Sequence, residues 1–372
     1  MGRSGRGGKE YYRFMELTIK EKEQEGESCT KHNKQISIAK GIGIILVVVG
    51  HSGCPEYLHT FIYSFHMALF YFCSALFYDE RKIFNKPRDF VFRKIKGLYW
   101  PYVKWSVIFI LLHNLFYSIG FNNDHLSYTE MYINIKRSIR CMWQGEHFLG
   151  AYWFLPSLLG EIIIFSLIVW MTKYAKKRII LILVLIGFCL GLLANQLKID
   201  LIVNRELVML PIYYSGFWIG KKMCNKCFLQ TFLSMKLFVI SLVCLLIFSF
   251  LNSPIRVDLN SFGVIPFTYL TFVSGILFIL YISKLLMNCA IIGNLLDYIG
   301  TKTLAILTFH FLGFKLITLL LVYVFGSPKT MLGDWPIPDE LKKYWVIYTI
   351  IGVSFSLLLS SLRISRFRFK RN

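Results

Sequence analysis

The chain has 372 residues, of which 55% are apolar, 17% aromatic and only 17% charged, and its mean hydropathy is +0.54. Soluble proteins carry about 25% charged residues, so this composition excludes an ordinary soluble enzyme. Lys and Arg number 42 against 21 acidic residues, a formal charge of +21. The basic residues stand in short clusters between long apolar segments, which indicates a membrane protein with a positive face and argues against a nucleic-acid partner.

Residues 1–35 mix basic and acidic side chains without an apolar core, which predicts a solvated, disordered cytoplasmic tail and not a signal peptide. Ten apolar segments follow, each near the ~20 residues needed to cross a bilayer. The predicted spans are 36–54, 57–78, 98–119, 149–172, 179–197, 207–220, 236–252, 262–283, 302–325 and 344–362. The predicted fold is therefore all-α, a polytopic membrane domain over residues 36–362 with a basic cytoplasmic tail over 363–372.

The distribution of Lys and Arg orients these spans. With the N-terminus inside, 31 basic residues fall at the inner side and nine at the outer side. Since basic loops resist translocation, the sequence predicts that both termini are cytoplasmic. The longest outer loop is 120–148. The 284–302 connection contains an apolar stretch, 289–298, that is too short to cross and is expected to lie along the inner interface as an amphipathic helix.

Nine cysteines make no disulfide framework, and most stand in apolar segments, where a thiol packs as a small hydrophobe. Cys224 and Cys227 form a C-x-x-C pair, but a structural zinc site needs four ligands and no second pair follows. The sequence therefore predicts no metal site.

The first span contains two ionisable side chains, Lys40 and His51, which are energetically costly to place inside a bilayer. Eleven helical steps bring them back to one face, with Cα atoms about 16 Å apart along the axis. This places a cation near the inner surface and an imidazole near the outer one, as expected for a path across the membrane. In the alternative interpretation, Lys40 extends to the inner headgroups and His51 hydrogen-bonds at the outer interface.

Further ionisable groups stand in or next to the second and third spans. His66 lies within an aromatic run, where a lone histidine is more often a core residue than a functional one. Arg93 and Lys96 precede the third span and are three residues apart, so they can share a helix face at the inner interface. Anchoring of the inner loop explains these two charges equally well.

Five motifs together resemble the membrane-bound acyltransferase-3 family. They are "KGIGIILVVVGH" from Lys40 to His51, "FHMALFYF", "RKIKGLYWPY", "YWFLPSL" and "YIGTKTLAILTFH" ending at His310. They occur in the family's order across residues 36 to about 325. Within the family they most resemble the branch of fucose 4-O-acetylase-like polysaccharide O-acetyltransferases.

The resemblance implies transfer of an acyl group, usually acetyl from cytosolic acetyl-CoA, to a carbohydrate hydroxyl at the outer side of a bacterial inner membrane. The acyl-CoA is then a co-substrate, with no resident cofactor. The family's basic-x10-His motif maps onto Lys40 and His51, and its basic cluster onto Arg93 and Lys96. Many relatives have Arg at the first of these positions and a second Arg at the last. Lys provides a point charge in place of a bidentate contact with phosphate.

The residue chemistry fits this reaction. A hydroxyl that attacks a thioester must lose its proton, and the ordinary pKa of histidine, about 6.5, suits a base near neutral pH. His51 is therefore the expected general base. The phosphates of CoA attract basic side chains, and Lys40, Arg93 and Lys96 lie at the cytosolic end of the predicted topology.

Alternative roles are expected for three other residues. Trp153 can stack on a sugar or serve as an interfacial belt residue. Glu161 can orient a histidine, bind a hydroxyl, or be protonated and packed. His310 is expected in the inner half of the ninth span, far from His51, with a structural or donor-side role.

A transporter or flippase of a lipid-linked saccharide is the alternative function, with Lys40 and His51 as substrate or proton sites. A polytopic bundle with buried charge is compatible with either activity, because a fold alone does not fix a function. Acyl transfer from labelled acetyl-CoA distinguishes the enzyme from the transporter.

Overall fold

A computed structural model describes residues 33–143, 145–173, 178–199, 203–223, 233–252 and 254–362. These residues contain helices and no β-strand, apart from one isolated bridge between Arg256 and Ser261. The all-α prediction is confirmed for this part of the chain. Most of the predicted N-terminal tail, the whole 363–372 tail, and both Cys224 and Cys227 lie outside the described residues.

The described residues form fifteen α-helices, with short π- or 3₁₀-helical turns between some of them. In chain order the α-helices are α1 Lys34–His51, α2 Glu56–Tyr63, α3 His66–Leu76, α4 Glu80–Asn85, α5 Pro87–Lys94, α6 Trp100–Ser118, α7 Tyr128–Cys141, α8 Phe154–Met171, α9 Arg178–Gln196, α10 Asn204–Lys222, α11 Met235–Leu251, α12 Ile265–Leu286, α13 Ala290–Thr301, α14 Thr303–Phe325 and α15 Trp345–Ser361.

Each of the ten predicted spans contains helix. Within the described residues, six helical segments are long and apolar enough to cross a membrane. They are Lys34–His51, His147–Met171, Arg178–Gln196, Ile265–Leu286, Thr303–Phe325 and Asp339–Ser361. The structure is thus that of a multi-pass membrane protein, while the ten crossings and the cytoplasmic termini stay predictions.

The second predicted span is not one continuous helix. It is broken between α2 and α3, where Phe65 leaves the helical conformation and His66 begins the next helix. The Phe65 side chain is buried against Gly275 of α12, at a place where a Cβ would collide with the ring. The Ser64 hydroxyl donates to the carbonyl of Phe61 and satisfies one of the carbonyls that the break exposes.

α1 is the central helix of the bundle and contacts α2, α3, α12, α13, α14 and α15. Two apolar cores meet along it. One core is built mainly from α3, α8, α10 and α12, and the other from α6, α14, α15 and the outer connections. Ile36 and Ala39 of α1 belong to the first core, whereas Ile44 and Val48 belong to the second. The central position explains why α1 is buried on nearly all sides.

The 284–302 connection contains the expected short helix, α13. The expectation that it lies along the inner interface is wrong, because α13 packs lengthwise along the first turns of the predicted span α1. Gly41 and Gly300 let the two backbones approach so closely that neither position has room for a Cβ. The Ser37 hydroxyl donates to the carbonyl of Asp297 at 3.0 Å, and Lys34 Nζ donates to Asn294 at 2.7 Å. Because these contacts advance in the same direction along both helices, α13 runs parallel to α1.

Two of the predicted outer loops contain short helical segments in their described residues. The 120–148 loop contains α7, which begins at a capping box between Ser127 and Glu130. The 329–336 segment, which we call the outer segment, follows α14 and packs against the predicted outer end of the bundle. Its Gly333 carbonyl accepts a hydrogen bond of 3.2 Å from Asn123 of the 120–148 loop. The two loops therefore support each other.

Candidate active site: a histidine pair on a membrane cavity

A cavity of about 620 Å³ lies beside α1. Lys40, Ile44, Val47 and His51 all contribute to its lining, which is the spacing of one helix face. Since Lys40 and His51 are eleven residues apart, the cavity follows α1 for about three turns, or about 16 Å. The predicted shared face of these two residues is confirmed. A basic group and an imidazole therefore border one continuous space.

His51 is not alone at its end of the cavity. Its Nδ1 lies 3.1 Å from Nε2 of His310, and the two ring planes are within 15° of each other with centroids 5.3 Å apart. The expectation that His310 is far from His51 is therefore wrong. The reason is α13, which runs beside the first turns of α1, so that α14 starts part of the way along α1 and His310 reaches the level of His51.

The hydrogen bonds fix the tautomers of the neutral pair. His310 Nδ1 lies 2.9 Å from the carbonyl of Ile306, and a carbonyl only accepts, so Nδ1 carries the hydrogen. Nε2 of His310 then has a lone pair and accepts from Nδ1–H of His51. Nε2 of His51 is consequently unprotonated, which is the form that accepts a proton from a hydroxyl.

Aromatic rings hold the pair in place. Phe311 stacks on His51 at 5.0 Å between centroids and lies 4.1 Å from the His310 ring. Trp335 of the outer segment packs against Phe311 at 4.5 Å. Both Phe311 and Trp335 line the cavity. A rotation of either histidine therefore requires that these rings move as well.

Lys40 lies at the other end of the lining, together with Gly97 and Leu98 of the turn that precedes α6. No hydrogen bond or ion pair within the described residues involves its ammonium group. Arg93 and Lys96 are exposed next to this end and do not line the cavity. Arg93 Nε donates to the carbonyl of Asp89 in its own helix at 3.2 Å. The structure therefore places Arg93 and Lys96 on the surface outside the cavity lining, with Lys96 directly before the lining residue Gly97.

His66 and Trp153 both line the cavity. His66 Nδ1 donates to the carbonyl of Ile62 at 2.8 Å across the break between α2 and α3. Trp153 has the guanidinium carbon of Arg205 4.7 Å from its ring centroid. Its position on the cavity lining allows its ring to stack on a bound molecule.

Glu161 does not line the cavity. It is fully buried, and neither of its carboxylate oxygens has a hydrogen-bond partner within the described residues. Its neighbour Glu206 accepts a hydrogen bond from Ser157, one turn before Glu161 on α8. One of the roles expected for Glu161 is to orient a histidine, but the partner of His51 Nδ1 is His310.

Sequence reasoning missed a group of polar residues at the His51 end of the cavity. His59, Tyr63, Arg256 and Asp258 line the cavity there. Arg256 donates to Asp258 from Nε at 3.0 Å and from Nη2 at 2.7 Å, and these hydrogen bonds raise the pKa of Arg256. The sequence signal is a pair of opposite charges two residues apart in a short outer loop, but only the fold shows that the loop reaches the cavity.

Within the described ranges, no group of three or more His, Cys, Asp or Glu side chains is placed to hold a metal ion. The described side chains that line the cavity carry imidazole, ammonium, guanidinium, carboxylate, thiol, hydroxyl and aromatic groups.

The acyltransferase domain model Acyl_transf_3 matches residues 33–368. No curated protein and no solved structure gave a match. The family match covers most of the chain, including both histidines and the whole cavity lining. This protein therefore belongs to the acyltransferase-3 family and is a membrane acyltransferase.

Proposed function

We propose that the protein transfers an acyl group, most simply acetyl, from an acyl-CoA on the cytoplasmic side to a carbohydrate hydroxyl on the outer side of a bacterial inner membrane. The observation that supports this proposal best is the histidine pair on a cavity that extends to Lys40. The acceptor is a polysaccharide or a lipid-linked sugar, as in the O-acetyltransferase branch that the motifs resemble.

His51 is the general base of the proposed reaction. Its Nε2 takes the proton from the acceptor hydroxyl while that oxygen attacks the thioester carbonyl carbon. The tetrahedral intermediate then expels the CoA sulfur, and the proton on His51 goes to the departing thiolate. An ester and free CoA are formed, with all atoms and charges balanced. His310 accepts from Nδ1–H throughout and keeps Nε2 directed to the hydroxyl.

Lys40 marks the donor end. Its ammonium has no internal partner in the described part of the chain, so it is available to a phosphate of CoA. Arg93 and Lys96 add positive charge on the adjoining surface. The apolar lining between Lys40 and His51 suits the pantetheine arm, which carries the thioester towards the base.

The acceptor end has the features of a sugar site. Trp153 and Trp335 offer ring faces on which a pyranose can stack, and Asp258 with Arg256 offers an acceptor and donors for sugar hydroxyls. Aromatic faces beside a hydrogen-bonding pair match a carbohydrate better than an apolar acceptor. These groups lie at the His51 end of the cavity, where the hydroxyl must arrive.

Purified protein in lipid nanodiscs, given radiolabelled acetyl-CoA and bacterial glycan fractions, tests the proposal. We expect label in the glycan with the parent protein, and a loss of about 10²–10⁴ in rate with His51→Gln. His125→Gln is the matched control, because His125 is exposed and outside the cavity. Transport of a saccharide without any acylation, or a His51→Gln variant as active as the control, contradicts the proposal.

A further inference from the structure

Lys315 is a buried lysine that the proposed reaction does not use. It lies in the middle of α14 and has no exposed surface. A charged ammonium in a membrane-spanning helix is costly unless its donors are satisfied. No salt bridge in the described part of the chain involves it, so its partners must be neutral groups.

The partners of Lys315 belong to the outer segment. Its Nζ donates to the carbonyl of Leu332 and to the carbonyl of Asp334, each at 2.6 Å. The same nitrogen lies 5.6 Å from the ring centroid of Trp335, a cation–π distance. An ammonium has three N–H donors, and here two carbonyls and one aromatic face surround it. The lysine therefore holds three of four consecutive residues, 332–335.

This segment forms part of the wall of the active-site cavity. Trp335 and Pro336 line the cavity, and Trp335 packs on Phe311, which stacks on His51. A displacement of the 332–334 backbone is therefore passed to the ring that confines the base.

We propose that Lys315 is a positioning residue for the acceptor end of the active site. It acts by holding the outer segment in place through hydrogen bonds to the backbone of that segment. Trp335 then stands where an acceptor sugar can stack on it, and Phe311 stays pressed against His51. The kinetic consequence of this role rests on the proposed function. The placement of the outer segment by Lys315 does not depend on that function.

Lys315→Met tests the proposal because it keeps the apolar stem and removes the donors. Lys104→Met is the matched control, since Lys104 is exposed on α6 and is 4.9 Å from the Trp105 ring. We expect the KM for the acceptor to rise by about tenfold or more in Lys315→Met, with the KM for acetyl-CoA unchanged. A purely structural defect lowers the amount of active protein without this separation of the two KM values.

Asn123→Ala gives a second variant in case Lys315→Met does not fold. It removes only the hydrogen bond to the Gly333 carbonyl, so we expect a smaller rise in the acceptor KM. A readout without catalysis is hydrogen–deuterium exchange of the backbone amides of 329–336, followed by peptide mass spectrometry. Loss of the Lys315 contacts to the carbonyls of Leu332 and Asp334 should speed this exchange in Lys315→Met and leave it unchanged in Lys104→Met.

The two readouts separate the two proposals. If the parent protein transfers no acyl group but the amides of 329–336 exchange faster in Lys315→Met, the proposed function fails and the positioning role stands. An unchanged exchange rate, or an equal rise in both KM values, overturns the positioning role of Lys315.

Discussion

The histidine pair resembles a catalytic dyad in which the second residue fixes the tautomer of the first. In serine hydrolases a carboxylate performs this task, whereas here the acceptor is the neutral Nε2 of His310. A neutral partner orients His51 but stabilises an imidazolium less than a carboxylate does. If the pair acts as proposed, we expect it to work mainly through orientation, so that its geometry matters more than its charge.

Replacement of His310 tests this difference. His310→Phe keeps an aromatic ring but cannot accept a hydrogen bond from Nδ1–H of His51, so we expect kcat to fall by about 100-fold, part of the general-base contribution. His310→Gln can still accept through its amide oxygen and should lose less. Steady-state kinetics at saturating acetyl-CoA measures both. Equal activity of His310→Phe and the parent protein would show that the hydrogen bond has no catalytic role.

Lys40 provides a prediction about the donor. Lys40→Met should raise the KM for acetyl-CoA, because it removes the cation at the donor end, while Lys40→Arg retains the charge and should keep substantial activity. The KM for the acceptor is the internal control and should not change. A normal donor KM in Lys40→Met would return this residue to a role as an interface anchor.

At the level of the helix, the register of α1 connects the two ends of the site. Lys40 and His51 line one cavity only because eleven residues separate them on a helix of 3.6 residues per turn. Gly41 of the same helix packs against α13, and this contact fixes the rotation of the first turns of α1 about its axis.

A single Leu inserted between Ile44 and Ile45 changes this register. Every later residue of α1 then turns by about 100° relative to Lys40, so His51 leaves either the cavity or its contact with His310. We expect loss of acyl transfer with normal membrane insertion, because the hydropathy hardly changes. Membrane fractionation and the labelled-acetyl assay measure the two properties. If the variant inserts stably and stays fully active, the position of Lys40 and His51 on one helix face has no role in acyl transfer.

Several elements could be predicted from the sequence because they depend on local patterns. Apolar length predicts the spans, and helical periodicity places Lys40 and His51 on one face. The meeting of His51 with His310 depends instead on how far along α1 the helix α14 begins, which the backbone contact at Gly41 and Gly300 determines. Such a tertiary offset leaves no mark on hydropathy. The cavity contacts of Trp335, Arg256 and Asp258 likewise depend on where short loops cross the bundle.

For the whole molecule, native cysteines can report the predicted orientation in the membrane. Cys141 is exposed at the end of α7 in the predicted outer loop, while Cys289 lies in the predicted inner connection. A membrane-impermeant maleimide applied to intact cells should label Cys141 and spare Cys289 until the cells are permeabilised. Peptide mass spectrometry identifies the sites. The opposite pattern would invert the predicted topology.

Cys54, which follows α1, adds a pH dependence to the same experiment. Burial raises the pKa of its thiol to about 11. Only the thiolate reacts, so below this pKa the labelling rate should rise about tenfold for each pH unit. An ordinary thiol levels off above about pH 9, so the rate at Cys54 should still be rising there. A plateau near pH 9 would show that the Cys54 thiol is not buried, and that the end of α1 is less enclosed than described.

His51 occupies the last turn of α1, directly before the C-cap Ser52. The aligned peptide dipoles of a helix place about half a negative elementary charge at this end. In the proposed reaction His51 takes the proton of the acceptor hydroxyl, and the new positive charge then appears beside that negative end. The backbone of α1 thus supplies a fixed counter-field at the moment of proton transfer, which a neutral His310 cannot provide and which no side-chain substitution removes.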